Sequence, residues 1–300
     1  MKPVNVNMLD PLLLSAIHDL EFVARVTVEG ALSGLHRSPF HGYSAEFSQY
    51  RHYLPGDDLK YVDWKLFART DRLYTKQFRE TTNVRVQLVL DSSASMAFQG
   101  EAGPSKLAYT RLIAGALAHL VAGQGDAAGL TVYGEEVLSY LGSRPGRTHL
   151  RAILTRLSNT SAAGGTASVA PLRRAVDLLR SRGVLILMSD LYDDEDAVDA
   201  ELRRAARMGH DVTVFHVLTR DELEWPWRGD LEVEDSETHR RVLTSVASAG
   251  EYRERMTRFV RRWSERCTGA GITYVLARTD VGPDRTVREY LLRRAARSSP

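Results

Sequence analysis

The sequence predicts an α/β protein: a doubly wound, mostly parallel sheet with one antiparallel edge strand, preceded by a smaller N-terminal α+β region. From Val84 onward, short apolar runs alternate with stretches of helical apolar spacing, the order that builds a parallel sheet covered on both faces. The runs Val84–Leu90, Val184–Ser189, Val212–Val217 and Ile272–Leu276 are apolar without alternation, as strands buried on both faces are. Gly129–Tyr133 and Glu136–Leu141 flank a minimal turn at Gly134-Glu135, which predicts a hairpin and hence the antiparallel edge strand.

In chain order, Pro11–Glu29 has helical spacing in Leu13, Ile17, Leu20, Ala24 and Val28, with Gly30 placed to end it. Gly34–Asp58 is crowded with Gly, Pro, His and aromatic residues and reads as loop, while Leu73–Phe78 alternates and reads as strand. The texture changes near Asn83, dividing an N-terminal α+β region, 1–83, from an α/β domain, 84–300. Within the latter, Leu107, Ile113, Leu117 and Leu120 mark one helix, and Leu172, Val176 and Leu179 another. Ala197–Met208, Tyr252–Cys267 and Arg285–Ala296 read as further helices. Between Asp221 and Thr244, Trp225-Pro226-Trp227 is no helix interior, Leu231–Glu234 suits a short strand, and the two tryptophans are expected to pack against the sheet.

Composition narrows the function. The 300 residues, 43% hydrophobic, suffice for one α/β domain of roughly 200 residues and a small companion. The apolar stretch Met8–Ile17 is interrupted by Asp10 and Pro11 and falls short of the roughly 20 residues of a membrane span. Met1–Val6 opens no secretory signal, so the expectation is a cytoplasmic protein without direct membrane insertion. A single cysteine, Cys267, excludes an intrachain disulfide and a thiolate-rich zinc site, and reads as a structural helix residue. With 40 basic against 38 acidic residues the net charge is +2, too small a field to favour nucleic acid. The arginines at 173, 174, 180, 203, 204 and 293–297 lack interleaved aromatic residues and read as solvated helix faces.

In an open parallel sheet, ligands collect beyond the carboxyl ends of the strands. The run Val84–Leu90 leads into Asp91-Ser92-Ser93-Ala94-Ser95, whose alternation lets a tight turn aim one carboxylate and two hydroxyls at one point. The strand Val184–Ser189 ends in Asp190, and the flexible Gly164-Gly165-Thr166 loop can bring a third hydroxyl close. Carboxylates and hydroxyls are hard oxygen donors, suited to Mg²⁺ first, with Mn²⁺ or Ca²⁺ as alternatives, and unsuited to copper or zinc.

Asp91-x-Ser93-x-Ser95, then Thr166, then Asp190 resembles the metal-ion-dependent adhesion site of von Willebrand factor A domains. The resemblance implies that Ser93, Ser95 and Thr166 bind the metal, that Asp91 and Asp190 act directly or through water, and that the open position takes a partner's acidic side chain. A second resemblance rests on Gly42-Tyr43-Ser44-Ala45-Glu46-Phe47, Arg51-x-Tyr53-x-Pro55-Gly56-Asp57-Asp58 and Val62-Asp63-Trp64-Lys65-x-x-Ala68-Arg69. These look like the bacterial family called domain of unknown function 58 (DUF58), and the likeness runs from about Gly34 to Leu218. It implies a von Willebrand factor A-like domain behind the block and a MoxR-type AAA+ ATPase as protein partner. Pro55-Gly56-Asp57-Asp58 also reads as a plain tight turn. Arg51, Asp57, Asp58, Asp63, Trp64 and Arg69 are candidates for an interdomain network or a partner face, and His36, His41 and His52 match no compact metal spacing.

Catalysis finds less support. A haloacid dehalogenase-type phosphatase needs a second acid where Ser93 stands, and neither a phosphate loop nor a nucleophile elbow is present. The expectation is therefore a non-enzymatic, metal-dependent protein-interaction module with no catalytic residues. The alternative is a hydrolase using metal-bound water, its base drawn from Tyr192-Asp193-Asp194-Glu195-Asp196, although that acidic run also suits a helix start.

Overall fold

The computed structural model describes residues 10–17, 19–33, 45–54, 62–80, 84–165, 167–179, 182–227, 231–234, 241–244 and 249–298. They fall into two compact units, the smaller being Phe40–Val84.

The chain opens with α1 (Pro11–Ala16) and α2 (Leu20–Leu32). The expected single helix is broken because Asp19 caps a new one, its side chain accepting from Phe22 N at 3.0 Å. Gly30 does not end α2 but lies inside it, where a Cβ would come 3.1 Å from Cβ of Asp284. Leu14 and Val23 pack on Leu112, whereas Leu13 is 68% exposed. The helices α1 and α2 accordingly group with the larger unit.

The smaller unit contains β1 (Ala45–His52), α3 (Trp64–Thr70) and β2 (Tyr74–Glu80), with β1 and β2 antiparallel. Strand β1 falls within a stretch read as loop, because cross-strand pairing with β2 overrides its turn-rich surroundings. Pro55–Asp58, His36 and His41 lie outside the described residues.

The larger unit continues with β3 (Arg85–Asp91), α4 (Lys106–Gly123), β4 (Ala127–Tyr133), β5 (Val137–Arg144), α5 (Arg147–Ser158) and α6 (Val169–Asp177). It proceeds through β6 (Val184–Ser189), α7 (Glu195–Arg207), β7 (Asp211–Leu218), α8 (Arg220–Glu224), the hairpin β8 (Leu231–Glu234) and β9 (Arg241–Thr244), then α9 (Ala249–Gly269), β10 (Thr273–Arg278) and α10 (Pro283–Ser298). Helix α5 was not among the expected elements, although Leu150, Ile153, Leu154 and Leu157 carry helical spacing and form its buried face.

Six strands form one sheet in the order β10-β7-β6-β3-β4-β5. All neighbours are parallel except β4 and β5, whose hairpin makes the antiparallel edge. Leu172 and Val176 of α6, Leu202 of α7 and Trp263 of α9 bury one face against Val89, Leu187 and Val214, and Cys267 belongs to the same core. On the other side α4 packs on β3 and β4 and is covered by α2, α5 and α10. From β3 the chain first builds outward through β4 and β5, then returns to place β6 on the opposite side. The crevice at the ends of β3 and β6 is thus the switch point where open α/β sheets hold ligands. No helix of the described residues is long and apolar enough to cross a membrane.

Candidate functional site

Strand β3 delivers Asp91 to the switch point and β6 delivers Asp190 one residue past its end. Beyond Asp91 the chain turns tightly into a 3-10 segment, Ala94–Ala97. The turn is held by Ser93 N donating to Asp91 Oδ1 at 2.9 Å, while Ser189 Oγ donates to Asp91 Oδ2 at 2.6 Å. Ser93 Oγ and Ser95 Oγ lie 3.1 Å apart, and Ser95 Oγ donates to Asp190 Oδ2 at 2.7 Å. Four of the five predicted ligands therefore meet in one buried polar cluster, three of them with no exposure and Ser95 at 9%.

The fifth, Thr166, lies outside the described residues, but its loop is anchored beside the cluster. Ala94 N donates to Gly164 O at 2.9 Å and Ala163 N to Ser92 O at 3.0 Å. Gly165 N is held by Glu135 Oε1 at 3.1 Å, and Ser168 N donates to Asp193 Oδ2 at 2.6 Å. Asp194 caps α7 through Asp196 N and Ala197 N, so the acidic run does begin a helix.

The site also contains groups that sequence reasoning missed. Lys106, the first residue of α4, is 1% exposed, and its Nζ lies 2.7 Å from Asp190 Oδ2 and 2.7 Å from Glu222 Oε1. Its ammonium also sits 4.8 Å from the Tyr192 ring centre and 5.9 Å from that of Phe98. Glu222 is fixed by the capping box of α8, its Oε2 accepting from Thr219 N at 2.7 Å. His216 on β7 bonds Asp190 O through Nε2 at 3.0 Å and Tyr274 Oη through Nδ1 at 2.8 Å. Leu191 follows Asp190 at φ 59, a left-handed conformation that costs a branched side chain about 1 kcal/mol and is held by Ser189 Oγ on its N–H at 2.9 Å. One signal did exist: Lys106 is one of five lysines in an arginine-rich chain, directly before an apolar helix.

These contacts separate the two aspartates electrostatically. Burial, then the nearby charge of Asp190, pushes the Asp91 carboxyl up to about 7 despite hydrogen bonds from Ser189 and Ser93. For Asp190 burial also pushes upward, but the charge and hydrogen bond of Lys106, with Ser95, outweigh it and the net direction is down. Burial pulls Lys106 down, yet Asp190 and Glu222 outweigh it and the ammonium is stabilised. Asp190 thus has a resident cation, whereas Asp91 forms no ion pair among the described residues.

The donor set fits a hard divalent cation: every group is oxygen, and among the described residues the buried Asp91 carboxylate has no compensating cation. Among the described residues, no three carboxylate, imidazole or thiol groups cluster as ligands, so the serine hydroxyls would have to complete the coordination.

The other singled-out residues have local roles. Asp63 caps α3, its Oδ1 accepting from Lys65 N and Leu66 N at 3.0 Å each and its Oδ2 from Tyr50 Oη at 2.8 Å. Trp64 is 56% exposed and meets Phe67 edge to face, Arg51 Nη1 donates to His52 O at 3.4 Å, and Arg69 lies exposed in the last turn of α3. Asp57 and Asp58 lie outside the described residues. The tryptophans Trp225 and Trp227 are half-buried, packing on each other at 5.2 Å, with Trp225 also on Tyr252 of α9 at 4.5 Å.

Fold and site together define an α/β protein with a mostly parallel sheet and a buried, oxygen-rich cluster at its switch point. The chain belongs to the family described as "Protein of unknown function DUF58", which matches residues 49–266. It is 31% identical over 235 residues to uncharacterized proteins Mb1516 of Mycobacterium bovis and Rv1480 of Mycobacterium tuberculosis, spanning 76% of this chain and 72% of each relative. It is also 31% identical over 109 residues to uncharacterized protein YeaD of Bacillus subtilis, across 36% of this chain and 25% of that one. Among solved structures, the conserved hypothetical protein BatB from Bacteroides thetaiotaomicron aligns at TM-score 0.49 and 18% identity, covering 72% of this chain and 100% of that one. An aerotolerance-related membrane protein from Bacteroides fragilis aligns at 0.48 and 17%, covering 71% and 99%.

Proposed function

We propose that this chain is a metal-dependent protein-recognition module whose sheet domain is von Willebrand factor A-like. In this reading Asp91, Ser93, Ser95, Thr166 and Asp190 hold a divalent cation, Mg²⁺ first and Mn²⁺ or Ca²⁺ otherwise. When bound, the cation supplies a Lewis-acidic coordination position at which a partner's carboxylate is recognised. The observation that carries the reading is the convergence of Asp91 with the Ser93–Ser95–Asp190 hydrogen-bond chain at the switch point, where the Asp91 carboxylate has no cationic partner among the described residues. Lys106 and Ser95 orient Asp190, and Ser189 orients Asp91.

The proposed partner is a MoxR-type AAA+ ATPase, on the strength of the family resemblance, and the proposed setting is cytoplasmic. The test is co-purification of the full chain with such an ATPase in Mg²⁺ and in chelator, with Mg²⁺ titrated calorimetrically. Asp91→Ala should abolish metal-dependent capture while circular dichroism stays native, and Asp190→Ala should abolish it with a loss of stability, because it takes a counter-charge from buried Lys106. Undiminished capture in chelator overturns metal bridging. Turnover of phosphate or peptide substrates that disappears with the same substitutions would establish the hydrolase alternative instead.

A further inference from the structure

At the far end of the sheet from Asp91, a cavity of about 580 Å³ opens among β3, β5, the start of α5 and the end of α6. Among the described residues its lining carries three basic side chains, Arg85, Arg144 and His149, and no carboxylate. Arg85 stands opposite Ala127 and Arg144 opposite Ala128, so both backbone positions flank the same end of β4. Arg85 and Asp91 are the first and last residues of β3, which puts the two sites about 20 Å apart.

The floor of the cavity is fixed. Gln87, 1% exposed, donates from Nε2 to Thr131 Oγ1 at 3.1 Å and accepts at Oε1 from Ser143 Oγ at 3.0 Å. Gly129 leaves it that room, since a Cβ there would lie 2.2 Å from Gln87 Oε1. The basic groups around this floor have few partners among the described residues. Among the described residues none of the three makes an ion pair, and His149 Nε2 is withdrawn from solvent with no hydrogen-bond partner. Tyr140, 40% exposed, and Leu178, 39% exposed, supply an apolar wall.

We propose that this cavity binds a small phosphate ester, with its oxyanion among Arg85, Arg144 and His149 and its organic part against Tyr140 and Leu178. Guanidinium forks match phosphate oxygens bidentately. A phosphate presents three oxygens to three separate donors, whereas a carboxylate presents two. The tyrosine ring offers a flat apolar surface beside the polar donors, the usual composition of a ligand pocket. The proposal is independent of the metal reading.

The experiment is calorimetric titration of the full chain with AMP, inorganic phosphate and adenosine. AMP should bind saturably, inorganic phosphate should compete with it, and adenosine should bind at least about tenfold more weakly. The double variant R85Q/R144Q should lower AMP affinity by more than about tenfold. Both arginines are exposed, so its thermal melting should match the parent chain. Asp91→Asn, in the other site, should leave AMP affinity unchanged. The proposal is overturned if neither AMP nor phosphate binds saturably, if adenosine binds as tightly as AMP, or if R85Q/R144Q binds AMP like the parent chain.

Discussion

The Nζ of Lys106 lies 2.7 Å from Oδ2 of Asp190, and neither side chain is more than 1% exposed. A buried charge pair gains little over a well-packed apolar pair, but removing one partner strands the other. Lys106→Met should therefore destabilise the chain by about 3–5 kcal/mol, because Asp190 and Glu222 both lose their counter-charge. Urea unfolding checks this, and a loss below about 1 kcal/mol would show that the ion pair is not structural.

If Asp91 and Asp190 bind a divalent ion in the folded chain alone, saturating Mg²⁺ should raise the melting temperature in proportion to the logarithm of its concentration. At a hundredfold excess over Kd the gain is about 2.7 kcal/mol. Asp91→Asn should remove that gain while leaving the melting point in chelator within a few degrees. Differential scanning calorimetry with and without chelator measures both, and an equal Mg²⁺ gain in the variant would move the ion elsewhere.

Asp91 and His216 pull stability in opposite directions with pH. The folded pKa of Asp91, about 7, lies above its ordinary 3.8, so its contribution is full below about pH 4 and is lost as pH rises through 7. Burial lowers His216 to about 4 from 6.5, so its contribution is full above 6.5 and is lost as pH falls through 4. At full extent this amounts to roughly 4 kcal/mol for Asp91 and about 3 kcal/mol for His216. In chelator the native chain should change little between pH 7 and 5, whereas Asp91→Asn should lose about 2 kcal/mol over the same interval. Urea midpoints at the two pH values decide it, a flat response in the variant being the contrary result.

Gly129→Ala should destabilise by about 1–3 kcal/mol. The added Cβ would lie 2.7 Å from Ser143 N and 2.8 Å from Leu141 O as well as against Gln87. Combining it with Gln87→Ala should recover only part of the loss, because the backbone contacts remain. Chemical denaturation of the three variants tests the ordering.

The strands were legible because β3, β6, β7 and β10 are buried on both faces, which writes their position as uninterrupted apolar runs. The β4–β5 edge was legible from the turn expected at Gly134-Glu135, although three residues, 134–136, join the two strands, and Asp91, Ser93, Ser95 and Asp190 from their places at strand ends. Strand β1 was not, since its pairing with β2 arises between segments distant in sequence. Gly30 misled for a related reason: its tolerance in α2 depends on Asp284, more than two hundred and fifty positions away.

By itself, then, the sequence determined the layer architecture and the oxygen chemistry of the switch point, because hydrophobic periodicity and strand-end position are local properties. Only the tertiary structure decided how those oxygens are charged. Lys106 from α4 and His216 from β7 reach Asp190 across separations of 84 and 26 residues, and Glu222 from α8 reaches Lys106 across 116. Whether a buried carboxylate is compensated depends on distances of a few ångströms that only packing sets, so Asp190 has a cation beside it, and Asp91, equally buried, has none among the described residues.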